Sequence, residues 1–305
     1  MKSKSRNIMI AVFTIPAMLA ITLVFAYPVI RTILMSFFKI DNVVSRMSDW
    51  SFAGISNYVQ LIETPLFRQT WVTFFKIWLF GGIFIMCIAM LFAVILTSGV
   101  RGKSFWRAAI YLPNIISAVA LANMWIHYAY NVNWGLFHNI FSFLGLDSLA
   151  QIQWTSPDYL FLAMMIAYCF GAVGYYMLIY IAEIEKIPLD IFEAARIDGS
   201  SGVHSFFHIT LPLFKGVFKT TLTLWTTGTL GFYIWSQMFS SNRDASAQII
   251  TPMYYMIRTT FGDMASVYTE TNAGLGAAIC VMVMLAAGLA FTLISKIFKN
   301  DEITF

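Results

Sequence analysis

Long runs without charged residues dominate the chain and alternate with short polar segments. Five runs free of Asp, Glu, Lys and Arg each reach about 20 residues, the length that an α-helix needs to cross the hydrocarbon of a bilayer. They are Ile8–Ile30, Ile77–Val100, Tyr159–Ala182, Thr220–Asn242 and Thr271–Ser295. A sixth run, Ala108–Leu146, has 39 residues and predicts one helix to Ala129, followed by a non-cytoplasmic segment. The pattern predicts an all-α integral membrane protein with six transmembrane helices.

Composition agrees with this fold class. Hydrophobic residues make up 59% of the chain and charged residues only 11%, whereas soluble domains carry about 25% charged residues. We therefore expect one transmembrane domain over residues 1–305, with an outer segment at 41–70 and a cytoplasmic loop at 183–215. The basic amino end also fits a cleaved signal peptide, but the first apolar run continues past Tyr27 and Pro28, which favours a retained helix.

The distribution of cations predicts the orientation in the membrane. Lys and Arg are concentrated in cytoplasmic segments of membrane proteins. If the amino end lies inside, twelve of the nineteen cations fall in inner segments: Lys2, Lys4, Arg6, Arg101, Lys103, Arg107, Lys186, Arg196, Lys215, Lys219, Lys296 and Lys299. Both termini and the 183–215 loop are therefore predicted inside. The net charge of +4 reflects this bias and indicates no nucleic-acid partner.

Residues 193–212 form a polar island between two apolar runs. Pro188, just before it, ends one helix and fits the first turn of another. The pattern predicts a helix over Leu189–Ile197, a sharp turn at Gly199 with positive φ, and a second short helix over Val203–Thr210. Such a helix pair suits docking into a partner's groove. The alternative is a solvated loop between two membrane helices.

The residue order of this island resembles the EAA loop of ABC importer permeases, which have a type I (MetI-like) fold. Ten positions carry the resemblance: Glu193, Ala194, Ala195, Asp198, Gly199, Phe206, Ile209, Thr210, Leu211 and Pro212. The resemblance implies docking into a cleft of a cytoplasmic ATPase. The ATPase-coupling residues that it implies are Glu193, Ala194, Ala195, Asp198, Gly199, Phe206 and Pro212. Two positions depart from the family pattern, since Ser200 replaces the usual alanine and Gly216 follows where a second proline is common.

Further segments resemble the carbohydrate-uptake, maltose-type branch of these permeases. Phe52–Ile62 is similar to its Gly-x-x-Asn-Tyr segment, Arg101–Ser117 to the entry of the next helix, and Pro252–Phe261 to an element after the fifth helix. The resemblance covers nearly the whole chain. It implies a second permease subunit, two cytoplasmic ATPase subunits, an extracytoplasmic solute-binding protein and a sugar substrate, in a bacterial cytoplasmic membrane. One departure is Ser241–Asp244, which stands where a Gly-Gly-Pro turn is usual.

Polar and small residues within the predicted spans are candidates for substrate contact. Helical spacing places three of them on one face of the fourth span and three on one face of the fifth. These six are Tyr168, Ala172, Tyr175, Thr226, Thr229 and Tyr233. Tyr and Thr side chains suit a sugar, which presents hydroxyls and apolar C–H faces, and in the resembled permeases the sugar contacts this part of both helices. Ordinary helix packing through small residues is the alternative.

No enzyme motif is complete in this sequence, and we expect no catalytic site, cofactor or metal. Gly102-Lys103-Ser104 ends like a phosphate-binding loop, but Thr97 stands where its first glycine belongs. His204 and His208 share a helical face without a further ligand at zinc spacing. The cysteines Cys87, Cys169 and Cys280 match no zinc or disulfide framework. An ion- or proton-coupled secondary transporter is the alternative function, but the charge-free runs lack the carboxylates that it would use.

Overall fold

The computed structural model describes residues 3–240, 247–262 and 271–298. It separates into two compact units, residues 1–67 with 255–285 and residues 68–254 with 286–305. In chain order the helices are α1 (Met9–Met35), α2 (Ser56–Glu63), α3 (Pro65–Thr97), α4 (Lys103–Ile115), α5 (Ala118–Ala129), α6 (Leu136–Phe143), α7 (Asp147–Ala150), α8 (Leu160–Ile184), α9 (Leu189–Ile197), α10 (202–213), α11 (Lys215–Leu230), α12 (Ile234–Phe239), α13 (Pro252–Phe261) and α14 (Ala273–Ile297). Two short strands are β1 (Phe38–Lys39) and β2 (Ser51–Phe52).

Helices occur in all six of the predicted apolar runs. Four of them, α1, α3, α8 and α14, are continuous and are long and apolar enough to cross a membrane. The second of these begins at Pro65, well before the expected Ile77, so it includes the end of the predicted outer segment 41–70. The third and fifth runs are interrupted helices, and each interruption has a local cause.

The third run is a bent helix pair instead of the single helix expected to Ala129. The axes of α4 and α5 differ by 97°. Pro113 lies in the last turn of α4, where its ring and missing N–H weaken a continuing helix. Ser117 then starts α5, because its hydroxyl oxygen accepts the N–H of Ala120 at 3.3 Å.

The fifth run is interrupted after Leu230, where α11 ends, and α12 begins only at Ile234. Between the two helices, the carbonyl of Phe232 accepts a hydrogen bond from the hydroxyl of Thr251. A side chain from a distant segment thus satisfies a backbone group that a continuous helix would have paired itself.

In the first unit, the ribbon of β1 and β2 packs close to the start of α14. The side-chain amide of Asn57 on α2 donates to the carbonyls of Ser36 and Phe38, at 2.9 and 3.0 Å. Gly274 lets α14 approach the ribbon, since an added Cβ would lie 2.1 Å from the carbonyl oxygen of Phe38. Asn57 belongs to the Asn-Tyr pair of the resembled segment, so the structure gives this motif a role in folding.

The second unit is built around α8, which is buried along most of its length. Beside it, Trp225 of α11 lies against two glycines of α3: an added Cβ would be 3.2 Å from its ring at Gly81 and 2.7 Å from its indole nitrogen at Gly82. The indole N–H of Trp225 donates to the carbonyl of Trp78 at 2.9 Å. Close approach at small residues is typical of helices packed within a membrane.

Candidate functional site

We call residues 189–213, which comprise α9, the following turn and α10, the coupling segment. Its first helix has the predicted bounds and ends in a Schellman motif. The N–H of Ser200 donates to the carbonyl of Ala195 at 2.9 Å, and the N–H of Gly199 to that of Arg196 at 3.0 Å. Gly199 has φ +78°, the conformation that the sequence predicted. These bonds satisfy carbonyls that the end of α9 would leave unpaired.

The second helix of the coupling segment begins at a serine cap. The hydroxyl oxygen of Ser201 accepts the N–H of His204 at 3.2 Å. The hydroxyl of Ser200, one of the two departures from the family pattern, lies 3.0 Å from that of Ser205. Since alanine could not make this contact, Ser200 adds a link across the turn that the usual residue lacks.

Apolar side chains on the inner face of the coupling segment anchor it to the second unit. Ile191 and Phe192 of α9 and Phe206 of α10 are half-buried and pack against the core. Immediately after α10, Phe214 is buried and its ring centroid lies 5.9 Å from that of Tyr180 on α8. Phe206, which was predicted to couple to the ATPase, therefore faces inward in this structure.

The other predicted coupling residues lie on the outer face. Glu193, Ala194, Asp198, Gly199 and Pro212 are exposed, and Ala195 is half-buried. Large apolar side chains are exposed on the same segment, namely Leu189, Ile197, Val203 and Phe207. Ile197, for example, exposes 87% of its surface. Neighbouring exposed apolar side chains outside membrane-length helices are characteristic of a protein–protein interaction site.

The turn of the coupling segment encloses a concavity of about 510 Å³ between α9 and α10. Asp198 and the two histidines of α10 contribute to its wall. The rings of His204 and His208 stack with their centroids 3.9 Å apart. Among the residues that the structure describes, no third His, Cys, Asp or Glu joins them in a group that could hold a metal ion.

A second candidate site is a cavity of about 240 Å³ lined by residues of α4, α5, α8 and α12. It brings together the three residues predicted on α8, which are Tyr168, Ala172 and Tyr175. The indole of Trp235 and the amide of Asn114 also line it, and none of the described residues in its wall is charged. Aromatic rings with a few polar groups form a wall that can stack against a sugar ring and bond its hydroxyls.

Gly174 of α8 allows α4 to touch it beside this cavity. An added Cβ at Gly174 would lie 2.4 Å from the carbonyl oxygen of Ile110 and 2.7 Å from Cα of Tyr111. One turn away, the amide of Asn114 donates to the carbonyl of Gly171 at 3.2 Å. The shape of the cavity therefore depends on direct contact between two helix backbones.

The three residues predicted on the fifth run do not line this cavity. The hydroxyl of Thr226 accepts the indole N–H of Trp78 at 2.9 Å, and that of Thr229 donates to the carbonyl of Trp225 at 2.7 Å. Tyr233 follows the end of α11, so it does not share a helical face with the two threonines. The threonines take part in packing α11, and their contact with a sugar stays a prediction.

Eight lining residues were not among the predicted substrate contacts, and Pro113, Asn114, Ile116 and Trp235 are four of them. The pair Pro113-Asn114 within an apolar run could have identified the first two. Proline interrupts the hydrogen bonds of a membrane helix, and polar side chains within a membrane face a cavity or the protein interior. Trp235 carries no comparable signal, since its position depends on the interruption between α11 and α12.

Comparison with known proteins places the chain in a family. The model of the family described as "binding-protein-dependent transport system inner membrane component" matches residues 85–301, well over half of the chain. The chain therefore belongs to this family of membrane transport proteins.

Relatives match nearly the full length of the chain. A probable ABC transporter permease protein of Bacillus subtilis is 28% identical over 95% of this chain and 96% of its own length. A trehalose/maltose transport system permease protein of Thermococcus litoralis is 28% identical over 96% and 94%. An arabinooligosaccharides transport system permease protein of Bacillus subtilis is 26% identical over 95% and 89%.

Solved structures share the fold. A chain from the crystal structure of a bacterial ABC transporter involved in the import of the acidic polysaccharide alginate matches with a TM-score of 0.81 at 17% identity, over 99% of this chain and 98% of its own. A chain from a structure of a bacterial alginate ABC transporter in complex with an alginate pentasaccharide-bound periplasmic protein matches with a TM-score of 0.79 at 17% identity, over 98% of this chain and 98% of its own. The chain thus has the fold of an ABC importer permease, as its sequence predicted.

Proposed function

We propose that this chain is a transmembrane subunit of an ATP-driven importer of a sugar or oligosaccharide, and that it forms half of the translocation pathway. The coupling segment is the observation that carries the proposal. It is anchored through Phe206 and Phe214, while Glu193 and Ala194 lie exposed on its other face. A segment that packs against the core on one face and is exposed on the other is suited to transmit force from a docked partner to the core.

The partners follow from this role. A second permease supplies the other half of the pathway, two ATPase subunits dock on the coupling segments, and an extracytoplasmic binding protein delivers the sugar. The bias of Lys and Arg supports the orientation with both termini and the coupling segment in the cytoplasm, where ATP is available. On the coupling segment, Glu193 makes the polar contact to the ATPase, Ala194 and Ala195 allow close approach, and Gly199 holds the turn.

Transport follows from alternating access. Closure of the ATPases on ATP draws the two coupling segments together, and the helices attached to them rock so that the pathway opens to the other side. The chain itself supplies the docking segment and the pathway wall, and the chemistry of ATP hydrolysis belongs to the ATPases.

A neutral sugar is the substrate class that the cavity favours. Tyr168, Tyr175 and Trp235 offer aromatic faces, Asn114 offers an amide, and no charged side chain joins them among the described lining residues. Permeases named for trehalose/maltose and for arabinooligosaccharides are among the relatives. A secondary transporter is not favoured, because the chain belongs to a binding-protein-dependent transport family and a relative over nearly its full length is named as a probable ABC transporter permease.

The first experiment measures uptake by cells that lack this gene and by cells that carry it again. Labelled maltose, trehalose, diacetylchitobiose and arabino-oligosaccharides serve as probes. We expect restored uptake of at least one of them with the natural chain, and loss of that uptake with Glu193→Lys at an unchanged amount of inserted protein. Glu193→Gln, which keeps the shape of the side chain, serves as the conservative control and should retain part of the uptake.

Two outcomes would contradict the proposal. Uptake that persists when the cell's ATP is depleted but an ion gradient is maintained would favour a secondary transporter. Normal accumulation with Glu193→Lys would remove the coupling role from this residue.

A further inference from the structure

An ion pair joins two helices at the base of the coupling segment. Nη2 of Arg107, on the second turn of α4, donates to Oε1 of Glu185 at 2.6 Å. Glu185 caps the C-terminus of α8 and stands four residues before the start of α9 at Leu189. The contact therefore links α4 to the point where a membrane helix passes into the coupling segment.

The same helix pair is held together at two further levels. One is the backbone contact of α4 with Gly174, and the other is the hydrogen bond from Asn114 to the carbonyl of Gly171. Asn114 lies seven residues after Arg107, which is about 10 Å along a helix. Between these levels α4 is an unbroken helix, so a displacement at its first turns is carried to its last turn.

The last turn of α4 forms part of the cavity wall. Pro113 and Asn114 of α4, with Ile116 just after it, line the cavity together with Tyr168 and Tyr175 of α8. Immediately beyond them the chain bends by 97° into α5. A shift of α4 along α8 would therefore change the width of the cavity.

The guanidinium of Arg107 also retains a donor without an acceptor. Its Nε is buried and makes no hydrogen bond to any residue that the structure describes. Most buried donors are paired in a resting protein. An unused donor beside a half-exposed carboxylate is suited to a contact that rearranges when the two helices move.

We propose that Arg107 is a positioning residue, which transmits movement of the coupling segment through Glu185 and α4 to the cavity wall. The inference rests on the proposed importer function. When the ATPases pull on α9, Glu185 moves with the end of α8, and its carboxylate draws Arg107 and the whole of α4 along. Exposed ion pairs add little to folding stability. The main role of this pair is therefore to make α4 move together with the coupling segment.

The test uses the complete importer, with its paired permease, ATPases and binding protein, in proteoliposomes loaded with ATP. The probe is whichever labelled sugar of the panel above the natural complex imports. We expect Arg107→Glu and Glu185→Arg each to lower import about tenfold, the range of ordinary allosteric coupling, while ATP hydrolysis continues. More ATP would then be hydrolysed per sugar imported. The swapped double variant, R107E with E185R, should recover most of the import.

Arg101→Glu is the matched control. It makes the same charge reversal at an exposed position in the turn before α4, so it changes the cytoplasmic charge bias equally, and its spacing from Arg107 is not one that pairs side chains on a helix. Its ratio of ATP hydrolysed to sugar imported should stay at the natural value.

The outcomes separate this inference from the function on which it rests. A natural complex that imports none of the sugars contradicts the proposed function. A natural complex that imports, with single variants that import equally well, contradicts only the role of Arg107. If a single variant fails to assemble, the swapped variant decides: assembly with import supports the link, and assembly with a raised ATP-to-sugar ratio overturns it.

Discussion

Gly199 in the coupling segment and Gly174 in the helix core are both required to be glycine, for opposite reasons. Gly199 has φ +78°, and an added Cβ would meet nothing within 4 Å. Gly174 lies within the regular helix α8, but an added Cβ would lie 2.4 Å from the carbonyl oxygen of Ile110. The first glycine is needed by its own backbone conformation and the second by a neighbour 64 residues away in the chain (174 minus 110).

This difference separates the two regions in general. The coupling segment is shaped by hydrogen bonds within a few residues, such as those that cap α9 and α10. The cavity wall is shaped by contacts between helices that are distant in sequence, such as that of Asn114 with Gly171. Damage to the first region should impair coupling and leave the fold intact, whereas damage to the second should impair the fold itself.

The largest effect is expected from Gly174→Leu. Overpacking of a well-packed core costs about 1–3 kcal/mol, and the cost should be at the upper end here because backbone atoms of α4 cannot move aside like a flexible side chain. We expect a clearly lower unfolding temperature in detergent and a smaller monodisperse peak in size-exclusion chromatography. Gly288→Leu is the matched control, since an added Cβ there meets nothing within 4 Å. Equal stability of the two variants would contradict the helix contact.

Gly199→Val should have a smaller effect on stability but a large effect on transport. A left-handed backbone conformation costs a residue with Cβ about 1–2 kcal/mol, so the turn between α9 and α10 would change shape. We expect the protein to insert normally and its unfolding temperature to fall only slightly, with sugar uptake reduced about tenfold or more. Gly202→Ala, in the same segment but with ordinary φ and open space around it, should transport normally. A fall in unfolding temperature as large as that of Gly174→Leu would erase the distinction between the two regions.

The smallest effects should distinguish the cavity wall from helix packing. Tyr175→Ala removes an aromatic face from the cavity and should raise the half-saturating sugar concentration several-fold, since stacking contacts contribute about 0.5–1.5 kcal/mol.

Thr226→Val removes the partner of Trp78 and should lower stability by about 1 kcal/mol, with unchanged sugar affinity. Uptake titrations and thermal unfolding measure the two effects. The reverse assignment, affinity lost at Thr226 and stability lost at Tyr175, would restore the threonine face as a sugar site.

The outcome of the sequence-based predictions follows the same division. The bounds of α9 and the turn at Gly199 were predicted correctly because they depend on Pro188 and Gly199, which act on their immediate neighbours. The four continuous membrane-length helices were found from apolar length alone. The family resemblance was also correct, and the departure at Ser241–Asp244 lies outside the residues that the structure describes.

The candidate cavity was predicted only in part. Tyr168, Ala172 and Tyr175 share a face of one unbroken helix, and the structure places all three on the cavity wall. The threonine prediction assumed that the fifth run continues as one helix through Tyr233. It ends at Leu230 instead, and Thr251 stabilises the interruption from a distant part of the chain.

The sequence by itself determined that this protein is a helical membrane protein with a polar helix pair between two apolar runs, because apolar length, charge bias and turn residues act locally. The family followed from the order of residues in that segment. Only the tertiary structure decided which side chains line the cavity, which threonines are occupied in packing, and that Arg107 meets Glu185. Those features depend on helices brought together from distant parts of the chain, and no local pattern specifies how closely two such helices approach or where each one bends.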